Sequence, residues 1–275
     1  MVARRMQEQT AVSAERAILL ADMGGTSTRC AVLPGHGAPV AVQVLENRQF
    51  EGPGALLSHY LDSLDTLPRP HHGVIAVAAP VHDEAVEMLN IDWQFSRASL
   101  ASQTGLKALA LINDFTALAW ALPVLEPEDL EQVGPGRRQP GQPRVVLGPG
   151  TGLGIATLIE DQGRHIVISG EGGHSTLPAA DEAEARVIAF ARERHGHCSV
   201  ERLVSGPGLI LIHEALHGIT DLSPVAIANA ADAGDSEAGE SLAMLFSLLG
   251  TVAGNLALTL GALGGVYIGG GIIPR

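Results

Sequence analysis

The stretch Leu109-Ala110-Leu111-Ile112-Asn113-Asp114-Phe115-Thr116-Ala117 decides how this chain is read. An apolar run through Leu109, Leu111 and Ile112 ends in a paired amide and carboxylate, and helical spacing then resumes with Phe115, Leu118 and Ala119. The pattern predicts a buried strand that closes on Asn113 and Asp114 and passes into a helix ending near Pro123. Sheets of α/β proteins often carry their working groups at such carboxyl ends, which makes Asp114 the first candidate for chemistry. The plainer alternative is that Asp114 only caps the helix after it.

On either side of this stretch the chain plays one pattern twice. Ala17 to Ala21 is apolar, Asp22 follows, Gly24-Gly25-Thr26-Ser27-Thr28 turns, and Arg29 to Leu33 is apolar again. Later Arg144 to Leu147 leads into Gly148-Pro149-Gly150-Thr151-Gly152-Leu153-Gly154, and Ile155 to Ile159 resumes the apolar run. Both read as strand, glycine turn, strand. A dinucleotide fingerprint would instead open a helix after its glycines, which argues against a nicotinamide oxidoreductase. Two such hairpins predict two related sheet domains, residues 18–123 and 124–275, after a loose leader over residues 1–17. Helical spacing is expected over 54–67, 96–104, 180–195, 209–216 and, with a glycine bend, 236–260. Further strands are expected at 40–45, 73–79, 86–89 and 166–168, and a last one within Gly264-Gly265-Val266-Tyr267-Ile268-Gly269-Gly270-Gly271. Residues 126–143 read as a Pro- and Gly-rich excursion.

Composition narrows the function classes. The chain has 275 residues, 46% hydrophobic and 17% charged, enough to bury a sizeable core. Its formal net charge is −13 and Lys107 is its one lysine, so neither nucleic acid nor an anionic membrane surface is an expected partner. Cys30 and Cys198 are expected to be buried, reduced thiols. No His-Glu-x-x-His or cysteine-rich pattern marks a metal centre. The apolar stretch 242–271 is broken by glycines and is expected to be helix plus strand rather than a membrane span. The first residues lack a signal-peptide core, and the expected location is cytoplasmic.

The polar residues suit phosphoryl transfer to a sugar hydroxyl. Asp114 can accept the hydroxyl proton, and Asn113, Glu171, His174 and Glu201 can orient neighbouring hydroxyls. The Gly24-Gly25-Thr26 and Gly150-Thr151-Gly152 turns can direct backbone N–H groups and a hydroxyl toward phosphate without a counter-lysine. Asp22 can hold Mg²⁺ through water, and Gly269-Gly270-Gly271 lets backbone approach a nucleotide. Taken singly, each feature has a plain structural use: hairpin loops for the glycines, a hydrogen-bonded His174, a first-turn charge for Glu201.

In order and together, six stretches resemble the bacterial ATP-dependent glucokinase family of the hexokinase-like sugar kinases. They are Asp22-Met23-Gly24-Gly25-Thr26, Asn113 to Ala117, Gly150 to Gly154, Gly170-Glu171-Gly172-Gly173-His174, Glu201 to Gly208, and Gly264 to Gly271. The resemblance implies an α/β fold of two ribonuclease-H-like, actin-like ATPase domains about an active-site cleft, and commonly a homodimer. It implies ATP and Mg²⁺ as cofactors and D-glucose as substrate. Asp114 would be the catalytic base for the 6-hydroxyl, with Asn113, Gly152, Glu171, His174 and Glu201 on the sugar. Asp22, Gly24, Gly25, Thr26 and Thr151 would lie on the phosphate side, with Gly206 and Gly270 bordering the nucleotide. Ser27-Thr28-Arg29 stands where the family usually has Asn-Ala-Arg. Family chains run on past the counterpart of Ile273-Pro274-Arg275, so the second domain is expected to be C-terminally shortened and exposed on apolar surface, and the chain to be less stable, more oligomeric or poorly active. The alternatives are a kinase for another hexose, or a non-catalytic sugar-binding regulator.

Overall fold

The computed structural model describes residues 17–35, 37–81, 85–88, 91–271 and 273. All but the last residue of the expected leader, Asn90 and the terminal Pro274-Arg275 lie outside them. Ala17, the last residue of the expected leader, is described and is fully buried. The described chain divides into two compact units, up to Ala117 and from Leu118 onward.

The first unit is built on a five-stranded sheet. β1 (Ile18–Met23), β2 (Ser27–Leu33), β3 (Val40–Glu46), β4 (His72–Val77) and β7 (Ala108–Asn113) lie in the order β3-β2-β1-β4-β7. β1, β4 and β7 run parallel, with Met23 in register with Val77 and Val77 with Asn113. This register brings Asp22 and Asn113-Asp114 out at one carboxyl edge, although more than ninety residues separate them in sequence. β2 returns antiparallel to β1 across the first glycine turn. β5 (Ala85–Glu87) and β6 (Gln94–Ser96) form a separate hairpin, and β6 is a strand the hydrophobic pattern is too short to show.

Two helices, α1 (Pro53–Asp62) and α2 (Arg97–Thr104), join the sheet in a core that includes Leu19, Met23, Leu56, Leu57, Tyr60, Ile75 and Leu100. α2 starts on a Ser96/Ser99 capping box and stops at Gly105, whose φ of 75° suits glycine. α1 ends at Asp62 rather than at Leu67 as the spacing predicts. Ser63 Oγ donates to the Tyr60 carbonyl as the helix closes, and Leu64 and Leu67 still reach the core from the turn beyond. Apolar spacing therefore outlasts the helix. α3 (Asp114–Ala121) follows β7 without a break and runs across the boundary between the units. β7 is less buried than predicted: Ala108 and Ala110 are exposed, and Leu111 to Asn113 are half-buried. It pairs with β4 alone in this sheet.

The second unit repeats the same start. β8 (Arg144–Pro149) and β9 (Leu153–Asp161) pair antiparallel across the second glycine turn, β10 (Arg164–Gly170) extends the sheet, and β11 (Gly265–Ile268) lies parallel beside β8. In both sheets the opening strand lies between an antiparallel neighbour and a parallel one. The helices are α4 (Glu182–His195), α5 (Val200–Leu203), α6 (Gly206–His217), α7 (Pro224–Asp232) and α8 (Ser236–Leu260). α8 is long and apolar enough to cross a bilayer, with a mean hydropathy of 1.7 over its best window. It nevertheless sends Leu242, Leu245, Leu248, Leu249 and Val252 into the core of this unit, and it is helical throughout, Gly250 and Gly254 included. Cys30 and Cys198 are buried free thiols. Burial pushes Cys30 up to about 12 and raises Cys198, so neither is a nucleophile at neutral pH.

Candidate active site

The candidate site residues fall into two sets, one in each unit. In the first, Asp114 opens α3 directly after β7. Asn113 Oδ1 accepts from the amides of Phe115 (2.9 Å) and Thr116 (3.3 Å), and Asn113 Nδ2 donates to the Ala79 carbonyl at 3.3 Å. Much of the capping expected of Asp114 thus falls to Asn113, whose amide is committed to holding the strand end. Asp114 Oδ1 accepts from the Phe115 amide at 2.9 Å. Asp114 is half-buried, and its carboxyl is raised above the ordinary 3.8, chiefly by burial and further by the negative charge of Asp22, against the lowering effect of its hydrogen bonds. A carboxyl raised in this way is a stronger proton acceptor than a free carboxylate.

Asp22 and Thr26 are exposed at the first turn. The turn closes through a Gly24 amide bond to the Ser27 carbonyl, 3.1 Å. It is then fastened from within by two polar residues that sequence reasoning passed over. Asn47 is fully buried; it donates from Nδ2 to the Gly24 carbonyl (2.8 Å) and from its amide to the Thr26 carbonyl (3.0 Å). The hydroxyl of Thr28, also fully buried, donates to Asn47 Oδ1 at 2.8 Å. Thr28 is one of the residues in which this chain departs from the usual family run. A buried Asn at the end of an alternating strand was the only sequence signal, and it was too weak to use.

In the second unit, His174 Nδ1 lies 3.3 Å from Glu201 Oε1 and its Nε2 lies 3.8 Å from Glu171 Oε2. A short 3₁₀ turn, Gly172–His174, carries the histidine and α5 carries Glu201. All three side chains reach solvent, at 62%, 48% and 29% exposure for His174, Glu171 and Glu201. Such a row of donors and acceptors suits a polyol. The Glu201 carboxylate sits against Gly152: a Cβ there would come within 2.6 Å of Glu201 Oε2. The second turn is held mainly by backbone. Gly150 donates to the Gly152 carbonyl and Gly206 donates to the Gly150 carbonyl, both at 2.8 Å. Gly270 has φ +114°, and a Cβ on it would meet the Pro149 carbonyl at 2.5 Å. Gly206 and Gly270 thus abut the turn that contains Thr151. A cavity of about 330 Å³ opens beside it, lined by Thr151, Glu201, Arg202, Ser205 and Pro207 among others. Arg202 and Ser205 were not singled out as site residues from the sequence.

The sequence signature of the glucokinase family matches residues 19–275. The chain belongs to the glucokinase family. It is 41% identical over 263 residues to the glucokinase of Chromobacterium violaceum, covering 94% of this chain and 75% of that protein. It is also 41% identical to the bifunctional protein glk of Paraburkholderia xenovorans, where the match covers 94% of this chain but 41% of the relative's length. Among solved structures, a glucokinase from an Antarctic psychrotroph superposes with a TM-score of 0.83 at 33% identity, over 94% of this chain and 84% of that one. The glucokinase fold, a mixed α/β architecture of the actin-like ATPase type, is therefore the fold of this chain. Among the described residues, no three His, Cys, Asp or Glu side chains gather as a metal cage.

Proposed function

We propose that this chain is an ATP-dependent glucokinase, transferring a phosphoryl group to the 6-hydroxyl of D-glucose with Asp114 as general base. The observation that carries this reading is the Asp114 carboxylate, held at a strand's carboxyl end and made more basic by burial and by Asp22. Curated relatives named glucokinase at about 40% identity support it.

The two sets of residues serve one reaction. Asp114 accepts the hydroxyl proton as the oxygen attacks. Asn113, Glu171, His174 and Glu201 fix the remaining hydroxyls, with the Gly152 backbone beside them, so that one hydroxyl is presented to the base. ATP with Mg²⁺, when bound, supplies the phosphoryl group and the charge neutralisation. The chain fits that ligand in two ways. Gly150 has open space where a Cβ would stand, and the backbone packs around Gly270 as only glycine allows. Thr26, Thr151, Gly24 and Gly25 would hold phosphate oxygens, with Gly206 and Gly270 at the nucleotide. A single exposed carboxylate, Asp22, suits a magnesium ion that keeps most of its waters. We read the working enzyme as a cytoplasmic homodimer.

The deciding experiment is glucose-dependent ADP release by the chain and by Asp114→Asn. The reading expects glucose binding to survive in the variant while phosphorylation collapses. Equal rates would remove Asp114 from the mechanism. Turnover of mannose or fructose without turnover of glucose would leave a kinase but change its substrate.

A further inference from the structure

The second sheet ends on an edge strand that no part of the proposed reaction uses. Among the described residues β10 (Arg164–Gly170) pairs with β9 alone, and six of its seven residues are exposed. Ile166 and Ile168 are 48% and 51% exposed. An unpaired apolar edge is a template for another strand, and proteins commonly blunt it with a bulge, a proline, a charge or brevity. The other edges of the two large sheets carry such features. β3 exposes Val40, Val42 and Val44, but its register shifts between Cys30 and Val32 of β2, and Ala41 takes a left-handed φ of 51°. β7 exposes only Ala108 and Ala110, directly after Lys107, and β11 is four residues long. β10 keeps one register from Arg164 to Gly170, has no proline, and carries its one fixed charge at its first position.

The hairpin fixes which backbone groups of β10 point outward. Gln162 (φ 49°) and Gly163 (φ 76°) make a two-residue turn of left-handed residues between β9 and β10, the type I′ geometry. Asp161 and Arg164, which flank it, are then a hydrogen-bonded pair. Alternation along the strand turns the N–H and C=O groups of Ile166, Ile168 and Gly170 toward β9, and those of His165, Val167 and Ser169 away from it. These last three form a symmetric set centred on Val167. A second, antiparallel copy of β10 turned about Val167 sets that residue on its twin and His165 on the partner's Ser169, so every outward group meets an outward group. The side chains match as well. Ile166 lies opposite the partner's Ile168, at non-hydrogen-bonded positions where side chains stand closest. The imidazole of His165 meets a hydroxyl, with which it can hydrogen-bond. Arg164 falls opposite Gly170, so no like charges meet. That matters in a chain of net charge −13, which repels its own copy; β10 contains no acidic residue.

We propose that β10 is the twofold interface of a dimer of this chain, pairing antiparallel with the partner's β10 about Val167 and joining the two four-stranded sheets into one. The occupant is a second copy because Arg164–Gly170 is matched to itself in backbone direction, apolar character and charge. The proposal rests on the homodimer reading above and is independent of the phosphoryl-transfer reading.

The test is the mass in solution of the 275-residue chain and its variants, followed by sedimentation over a range of concentrations. The parent should sediment as a dimer. Ile168→Lys changes a half-exposed side chain, so the monomer should keep its fold and circular dichroism spectrum while the dimer dissociation constant rises at least a hundredfold. Val42→Lys, on the bulged edge β3, should leave that constant unchanged. Cysteine pairs read the register, and they do so without adding a charge. In the proposed pairing, position 166 lies about 4.5 Å, Cα to Cα, from the partner's position 168 and about 7–8 Å from its own twin. A disulfide closes only below about 7 Å. A mixture of Ile166→Cys and Ile168→Cys chains should therefore give a cross-linked dimer on oxidation, while neither variant cross-links alone; the native Cys30 and Cys198 are buried. A dimer that withstands Ile168→Lys, that Val42→Lys breaks, or that cross-links through either cysteine alone overturns this interface and leaves the homodimer reading standing. A parent that stays monomeric at every concentration overturns both.

Discussion

The two glycine turns begin alike and are held differently. The first adds side chains to its backbone bonds: buried Asn47 donates to the Gly24 carbonyl, and buried Thr28 donates to Asn47. The second is fastened by backbone bonds within it and from Gly206, and by contacts so close that Gly270 has no room for a methyl group and one on Gly152 would have to displace the Glu201 carboxylate. The comparison teaches where each unit is vulnerable. The first should be sensitive to the loss of polar groups and the second to the gain of carbon. On the proposed reading it also separates roles: Asp114 lies in the first unit, and Glu171, His174 and Glu201 lie in the second.

Asp114→Asn should show the largest effect, because it removes the proton acceptor and keeps the shape. A general base contributes about 10²–10⁴-fold, so kcat should fall by that order with glucose affinity nearly intact. Steady-state kinetics with a separate glucose titration check the split. A matching loss of affinity would mean that Asp114 holds the sugar rather than deprotonating it, and would blur the division between the units.

Asn47→Ala should come next. It leaves the fully buried Thr28 hydroxyl and the half-buried Gly24 carbonyl without their Asn47 partner, at about 1–3 kcal/mol for a buried orphaned group. Chemical denaturation should register a loss of a few kcal/mol, and kcat should fall because the first turn loosens. Unchanged stability would show that the turn holds itself, as the second one does.

The sequence made the strand–turn–strand repeats legible because each is a contiguous run of apolar residues punctuated by glycines. Asp114 was legible because an unpaired charge at the end of an apolar run is conspicuous. The Asn47 clamp was not, since it joins residues about twenty positions apart through a fold that no local pattern reports. The Glu201 contact with Gly152 spans still more chain. Helix ends misled in one place: Leu64 and Leu67 continue the spacing of α1 because they face the same core, although the backbone has already left the helix.

Gly152→Ala probes the second turn. The added carbon meets the far end of the Glu201 side chain, which can swing aside, so the protein should stay folded while the carboxylate is displaced. Losing one charge-assisted hydrogen bond to a sugar hydroxyl costs about 1.5–3 kcal/mol. The glucose KM should rise by about tenfold or more, with Tm almost unmoved. A fall in kcat at constant KM would place Gly152 with the phosphate side instead.

Asp22→Asn should show the smallest effect, and it tests the electrostatics linking the two ends of one sheet edge. Asp22 raises the Asp114 carboxyl, in second place to burial. The base works when deprotonated, so the acid limb of kcat/KM should lie above the ordinary carboxylate value of 3.8 and move to lower pH when Asp22 loses its charge. Stability follows the same sign. A carboxyl raised in the folded state favours folding in its protonated form, and that contribution is lost as pH rises through the folded-state value. Asp114→Asn should therefore be more stable than the parent at neutral pH, by a margin that closes below pH 3.8. Adding Asp22→Asn to the parent should narrow that margin, because part of the destabilising charge has gone. If Asp22→Asn leaves the acid limb in place, burial alone sets the basicity of Asp114. The register between β1 and β7 would then matter for shape and not for charge.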